Sequence, residues 1–219
     1  MYTEQEERWA NNFGKEYHKR NPLSVFELNT LYSTKIGMDR TTQLDSFFPQ
    51  GMLVRSLKVL EVGCGVGIQL SVLDHISEFR LYGIDICPDA VRMAKSRLLD
   101  SNADIIHGSA FDIPYKDNYF DIVFTSGVLI HIAPDGIQKV LKEIHRCAKK
   151  YIFGYEYYSP TLKNIPYREH TDMLWKQDFV GLYMGSFGDL KLIKEELYDY
   201  KDGSGNQDQA FLLEKVVEE

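Results

Sequence analysis

The sequence predicts an α/β fold: a doubly wound, mostly parallel seven-stranded sheet with an antiparallel C-terminal hairpin and an N-terminal helical lid. Three observations predict it. Apolar strand-like runs alternate with helix-like runs from residue 57 to residue 158, a pattern that makes a parallel sheet with helices on both faces. The first of these strands ends in a turn with glycines at 63, 65 and 67. The last two apolar runs are joined by DGSGN, turn chemistry suited to a hairpin rather than a helical crossover.

The elements follow in chain order. Residues 4 to 20 read as a helix with Trp9, Phe13 and Tyr17 four apart on one face. Residues 24 to 48 read as one or two helices with Leu28, Leu31, Tyr32 and Ile36 on one side, broken by Pro49 and Gly51. Then come a buried strand LKVLEV (57–62), a helix GIQLSVLDHI (67–76), a strand RLYGIDI (80–86) and a helix PDAVRMAKSRL (88–98). A proline in the first turn opens that last helix, where its missing N–H is no loss. The strands ADIIHG (103–108) and FDIVFTSG (120–127), the helix DGIQKVLKEIHRCA (135–148) and the strand KYIFGYEYY (150–158) complete the alternation. The hairpin is LKLIKEELYDY (190–200) returning as QAFLLEKV (209–216). The expected organisation is a helical arm over residues 1–50 and a main domain over 51–219, with an acceptor-binding insertion at about 156–187.

Bulk composition narrows the function classes. A chain of 219 residues that is 44% hydrophobic and 26% charged builds one ordinary globular core. The formal net charge of −7 repels phosphate backbones, so no nucleic-acid partner is expected. Three cysteines, Cys64, Cys87 and Cys147, form no CxxC pair, and the histidines are scattered, so neither a disulfide framework nor a metal site is expected. The polar start MYTEQEERWANNFGKEYHKRN lacks a signal-peptide core, and no later apolar run is long enough to span a bilayer. These features imply a cytoplasmic protein with a small-molecule partner, no membrane association, and a monomeric or homodimeric state.

The glycine turn in VLEVGCGVGIQL (59–70) discriminates among cofactors. No lysine follows as a P-loop requires, and the third glycine falls one residue early for a dinucleotide fingerprint. Glu61, two residues before Gly63, would repel a pyrophosphate but suits a cationic ligand. Asp85, ending LYGID, is placed to accept both hydroxyl protons of a ribose. A nucleoside carrying a cationic group satisfies both carboxylates, and S-adenosyl-L-methionine (SAM) is such a molecule.

These markers, with GSAFDIPYKDNYFDIVFTSGVLIHI (108–132), resemble the Rossmann-like class I SAM-dependent methyltransferases. The resemblance implies SAM as cofactor and S-adenosyl-L-homocysteine as product. It implies cofactor contacts from Glu61, Gly63, Cys64, Gly65, Asp85 and Ile86, with Ala110 and Phe111 flanking the adenine and Ser126 below the methionine end. Two further stretches, RWANNFGKEYHKRN (8–21) and GYEYYSPTLKNIPYREHTDMLWKQDF (154–179), resemble the pseudaminic acid biosynthesis-associated methylases, a family found with cell-surface sugar clusters. In that family a glycine is expected where Glu169 stands. The first stretch reads as a lid with Tyr17, Arg20 and Asn21 turned toward the cofactor. The second supplies Tyr157, Tyr158, Tyr167, Arg168 and Trp175 as acceptor-binding residues, because aromatic faces stack on sugar rings and phenols hydrogen-bond to hydroxyls.

For proton handling, His131 after the fourth strand is the first candidate base, with Tyr155 and Glu156 at the end of the fifth strand behind it. The expected function is methylation of an oxygen or nitrogen of a small polar molecule, a sugar or sugar-nucleotide. The competing classes are a SAM-binding subunit or sensor without turnover, and an RNA or protein methyltransferase.

Overall fold

The computed structural model describes residues 2–21, 24–48 and 56–216. Four helices precede the sheet: α1 (Glu4–Ala10), α2 (Asn12–Arg20), α3 (Val25–Ile36) and α4 (Arg40–Phe47). Local chemistry sets their ends. Thr3 with Glu6, and Ser24 with Glu27, form reciprocal capping boxes at the starts of α1 and α3. Gly37, at φ +85°, closes α3 in the left-handed conformation. The single helix expected over 4–20 is therefore two, because Asn11 leaves helical geometry (φ −112°, ψ −136°). The aromatic face survives the break: the Trp9 ring centroid lies 4.8 Å from that of Phe13 and 5.4 Å from that of Tyr17. The expected stop at Pro49 and Gly51, and with it the domain boundary at 50/51, lies outside the described residues.

The chain continues with β1 (Lys58–Val62), α5 (Ile68–Ile76), β2 (Arg80–Asp85), α6 (Pro88–Arg97), β3 (Ala103–His107) and β4 (Phe120–Ser126). It continues through α7 (Ile137–Cys147), β5 (Ala148–Tyr158), the two-residue pair β6 (Lys163–Asn164) and β7 (Trp175–Lys176), α8 (Phe179–Ser186), β8 (Leu190–Asp199) and β9 (Gln207–Lys215). The large sheet has seven strands in the order β3-β2-β1-β4-β5-β9-β8. The first five are parallel, and β9 enters antiparallel to both β5 and β8.

Alternation along the strands builds two cores. Val59, Leu81, Ile122, Phe124 and Phe153 face the layer of α3, α4, α5 and α6. Leu60, Tyr82, Val123, Ile152 and Phe211 face α7 and α8. Helix α7 shows the logic most clearly, burying Ile137, Val140, Leu141, Ile144 and Cys147 on one stripe. Each large aliphatic side chain there contributes about 1.5–3 kcal/mol of transfer free energy. A charge at Val140, which is fully buried, would break the stripe.

The register brings the carboxyl ends of the strands together. Glu61 pairs with Gly83 and Phe124, Asp85 with His107, and Ser126 with Tyr155. The order reverses between β1 and β4, which is where open α/β sheets hold ligands. Among the described residues, no helix is long and apolar enough to cross a membrane.

Candidate functional site

The turn after β1 is shaped by backbone needs. Gly63 and Gly65 take φ of +72° and +51°, a region that side chains resist. A Cβ on Gly63 would sit 2.6 Å from a methyl of Val128, and one on Gly65 would sit 3.0 Å from the His18 ring. Asp85 fixes the turn from β2. Its Oδ2 accepts the N–H of Gly65 at 2.7 Å and its Oδ1 that of Cys87 at 2.8 Å. Burial pushes the Asp85 carboxyl up, while nearby His18 and these N–H groups pull it back.

Glu61 has a different environment. It is 2% exposed, and its Oε2 has no hydrogen-bond partner. Burial holds its carboxyl well above the usual range, an effect opposed mainly by Arg40. An unpartnered buried carboxylate oxygen is costly unless something cationic meets it.

A cavity of about 550 Å³ opens above the strand ends, within the usual range for small-ligand sites. Glu61, Gly63, Cys64, Gly65, Asp85 and Ile86 line one part of it, with Ala110 and Phe111 beside them. Ser126, His131, Tyr155, Tyr157, Tyr167, Arg168, Tyr17 and Asn21 line the rest. Most of the residues expected from the sequence therefore meet in one space.

Four do not line it. Glu156 and Tyr158 point away because side chains alternate along β5, so Tyr155 and Tyr157 take the cavity side. The Glu156 carboxylate instead accepts the N–H groups of Val128 at 3.2 Å and Ile130 at 3.4 Å, holding the loop after β4. Burial pushes Glu156 up to about 7. Trp175 lies buried on β7. Arg20 reaches water at the end of α2 and lines an outer groove with Glu16, Arg168, Glu169 and His170.

The three candidate bases separate cleanly. The Tyr155 hydroxyl donates to Asp208 Oδ2, and burial beside Tyr32 and Asp208 drives it far upward, so it keeps its proton. Glu156 is out of reach of a ligand. His131 Nδ1 lies 2.6 Å from the Met173 carbonyl oxygen, so Nδ1–H donates and Nε2 keeps its lone pair. Burial pushes His131 down to about 4 and keeps it neutral.

Helix α1 is pinned beside this space. Ser109 donates to the buried Glu6 carboxylate, Gln5 Oε1 accepts the Ala133 N–H at 3.0 Å, and Arg8 pairs with Asp172 at 2.9 Å. The Trp9 ring packs 4.7 Å from His131.

Sequence reasoning missed three groups. Arg40, with no exposed surface, donates to Gln69 at 2.8 Å, to Gln43 and to Ser126 Oγ at 3.0 Å. His18 lies in the lid stretch already singled out, but Tyr17 and Arg20 drew attention first. Lys35 pairs with the fully buried Asp208 at 2.7 Å. Lys35 shares a helical face with Leu28 and Tyr32, a weak signal; Asp208 stands one residue before the strand expected over 209–216, and the structure draws it into β9.

Comparison with known proteins adds likenesses of sequence and fold. Residues 60–151 match the model of a family described as "Methyltransferase domain". A demethylmenaquinone methyltransferase of Staphylococcus aureus (strain MRSA252) is 28% identical over 149 residues, which cover 67% of this chain and 56% of that protein. The chain thus spans little more than half the length of the curated relatives it matches. A SAM-dependent methyltransferase from Methanosarcina mazei superposes with a TM-score of 0.61 at 17% identity, covering 76% of this chain and 96% of that one. The [4+2]-cyclase SpnF superposes with a TM-score of 0.70 at 15% identity, over 95% of this chain and 97% of that one. At such identities the structural likeness speaks for the fold.

Proposed function

We propose that this chain, a class I SAM-dependent methyltransferase with SAM as its cofactor, moves a methyl group to an oxygen or nitrogen of a small polar acceptor, a sugar or sugar-nucleotide. The observation that carries the reading is the shared cavity. It places the unpartnered Glu61 carboxylate and the Asp85 strand end in one space with the free Nε2 of neutral His131 and with Tyr157, Tyr167 and Arg168.

The residues fit the cofactor. The side-chain-free turn at Gly63 and Gly65 admits close approach of a ligand, and Glu61 answers the cationic amino group. Asp85 accepts the ribose hydroxyls, Cys64 and Ile86 border the nucleoside, Ala110 and Phe111 hold the adenine, and Ser126 meets the methionine end. When bound, SAM supplies a methyl carbon activated by its sulfonium. Tyr17 closes the lid over it. The chain's task is then to hold the acceptor atom roughly 3–3.5 Å from that carbon and in line. His131 Nε2 receives the acceptor's proton, which needs no prior deprotonation because the ring is already neutral.

A second reading has one observation behind it, the name of the Staphylococcus aureus relative. Leu28, Leu31 and Leu174 also line the cavity and would suit an acceptor like demethylmenaquinone.

The test incubates the purified chain with methyl-labelled SAM and three acceptor sets: sugar-nucleotides, a demethylated quinone, and RNA with protein. Label in the sugar set, with S-adenosyl-L-homocysteine released in equal amount, is the expected result. Label in the quinone favours the second reading, and label in the macromolecules overturns both. SAM binding without turnover on metabolite extracts would leave a sensor.

A further inference from the structure

We propose that Lys35 and Arg168, which line the same cavity, provide an anion subsite, and that the acceptor carries a carboxylate or phosphate in addition to the group that is methylated. The inference rests on the methyltransferase reading above and names the acceptor's charge.

The wall is built from behind. Asp208 has no exposed surface and does not line the cavity. It accepts from three donors: Lys35 Nζ at 2.7 Å, the Tyr200 hydroxyl at 2.7 Å, and the Tyr155 hydroxyl. Lys35 and Tyr155 both line the cavity, so one hidden carboxylate orients two groups that face the ligand. The ammonium is further held against aromatic faces, 4.3 Å from the Tyr200 centroid and 5.0 Å from that of Tyr157. An ammonium has three N–H donors, and Asp208 accepts one. The others remain for a ligand.

Arg168 completes the arrangement. It lines both this cavity and the outer groove, its guanidinium carbon lies 5.5 Å from the Tyr167 ring centroid, and among the described residues it forms no ion pair with a carboxylate within 4 Å. Its guanidinium therefore offers a whole fork of donors. The negative groups of the cavity sit elsewhere: Glu61 and Asp85 at the strand ends, and Glu6 on Ser109. Asp208 lies behind the wall with its charge engaged by Lys35. Lys35, though paired with Asp208, keeps further N–H donors, and Arg168 makes no ion pair within this cavity among the described residues, so an anionic group on the acceptor would find donors on both.

The experiment loads the full chain with S-adenosyl-L-homocysteine and titrates glucuronate, inorganic pyrophosphate and glucose by calorimetry at low ionic strength. Saturable binding of glucuronate or pyrophosphate, with none for glucose, is expected; the better ligand tells carboxylate from phosphate. Arg168→Gln should weaken the anion by about tenfold, the usual worth of a charged hydrogen bond. Lys35→Met leaves the buried Asp208 without its counter-charge, so it is combined with Asp208→Asn. That double variant should abolish saturable anion binding while S-adenosyl-L-homocysteine binds within twofold of the parent. Equal binding of glucose overturns the proposal. So does unchanged anion affinity in the variants, or an equal loss of S-adenosyl-L-homocysteine. A parent chain that binds no S-adenosyl-L-homocysteine overturns the methyltransferase reading itself.

Discussion

His131 Nδ1 lies 2.6 Å from the main-chain oxygen of Met173, which ties the loop after β4 to the segment before β7 and fixes the imidazole tautomer. Because burial holds the ring near 4, it is neutral at and well below physiological pH. Methyl transfer that uses this base should hold its rate from pH 8 down to about 5 and fall as His131 protonates near 4. His131→Ala should lower kcat by roughly 10²–10⁴-fold with little change in SAM affinity. A rate near that of the parent would leave positioning as the main catalytic device.

The same group has a stability signature. Its folded pKa lies below its unfolded value of 6.5, so the unfolded chain binds more protons between the two. Stability from this group is complete above pH 6.5 and is lost as pH falls toward 4. Thermal melts of the His131→Leu variant should show a shallower loss of Tm across that window than the parent.

Glu61 titrates with the opposite sign. Its folded carboxyl lies above its unfolded value of 4.5, so the ligand-free chain loses stability as pH rises from there toward the folded pKa. Glu61→Gln should remove this slope and raise the Tm of the free chain near pH 8. It should also weaken SAM roughly 10- to 100-fold, by loss of a charged hydrogen bond. Unchanged affinity in calorimetry would remove Glu61 from the cofactor site.

Asp85 serves both the turn and, by the proposal, the ribose. Asp85→Ala removes the acceptor of the Gly65 and Cys87 N–H groups, at a cost of about 1–3 kcal/mol in folding stability. SAM binding should fall at least about tenfold. A folded variant with unchanged SAM affinity would end the ribose assignment.

Arg168 and Glu169 occupy the two central positions of a tight turn, with φ of +49° and +67°. Tyr167 and His170 exchange both N–H···O bonds across it, at 2.7 and 3.0 Å. Both central residues are left-handed, as in a type I′ turn, where the second position favours glycine. Glu169→Gly should stabilise the chain by roughly 0.5–1 kcal/mol and raise Tm by about 1–4 °C. The glycine expected there by resemblance thus has a backbone reason.

Much of the molecule is legible in its sequence. Apolar runs marked the strands of the large sheet, turn chemistry marked its hairpin, and strand-and-helix order determined that the glycine turn, Glu61, Asp85 and Ser126 would gather at one end. Those features are local or follow from chain order, so periodicity and turn chemistry reveal them. The side on which Glu156 falls was also within reach, since strand alternation pairs Tyr155 with Tyr157 and excludes their neighbours.

What only the tertiary structure decided is which distant charges meet. Nothing near residue 35 announces a partner at residue 208, yet Lys35 and Asp208 make a buried ion pair behind the cavity wall. Nothing near Arg40 announces Ser126, 86 residues on. A charge is stable in the interior only when specific groups from other elements enclose it. Those groups are brought together by packing of α3 and α4 on the sheet, so their chemistry belongs to the fold and to no single stretch of sequence.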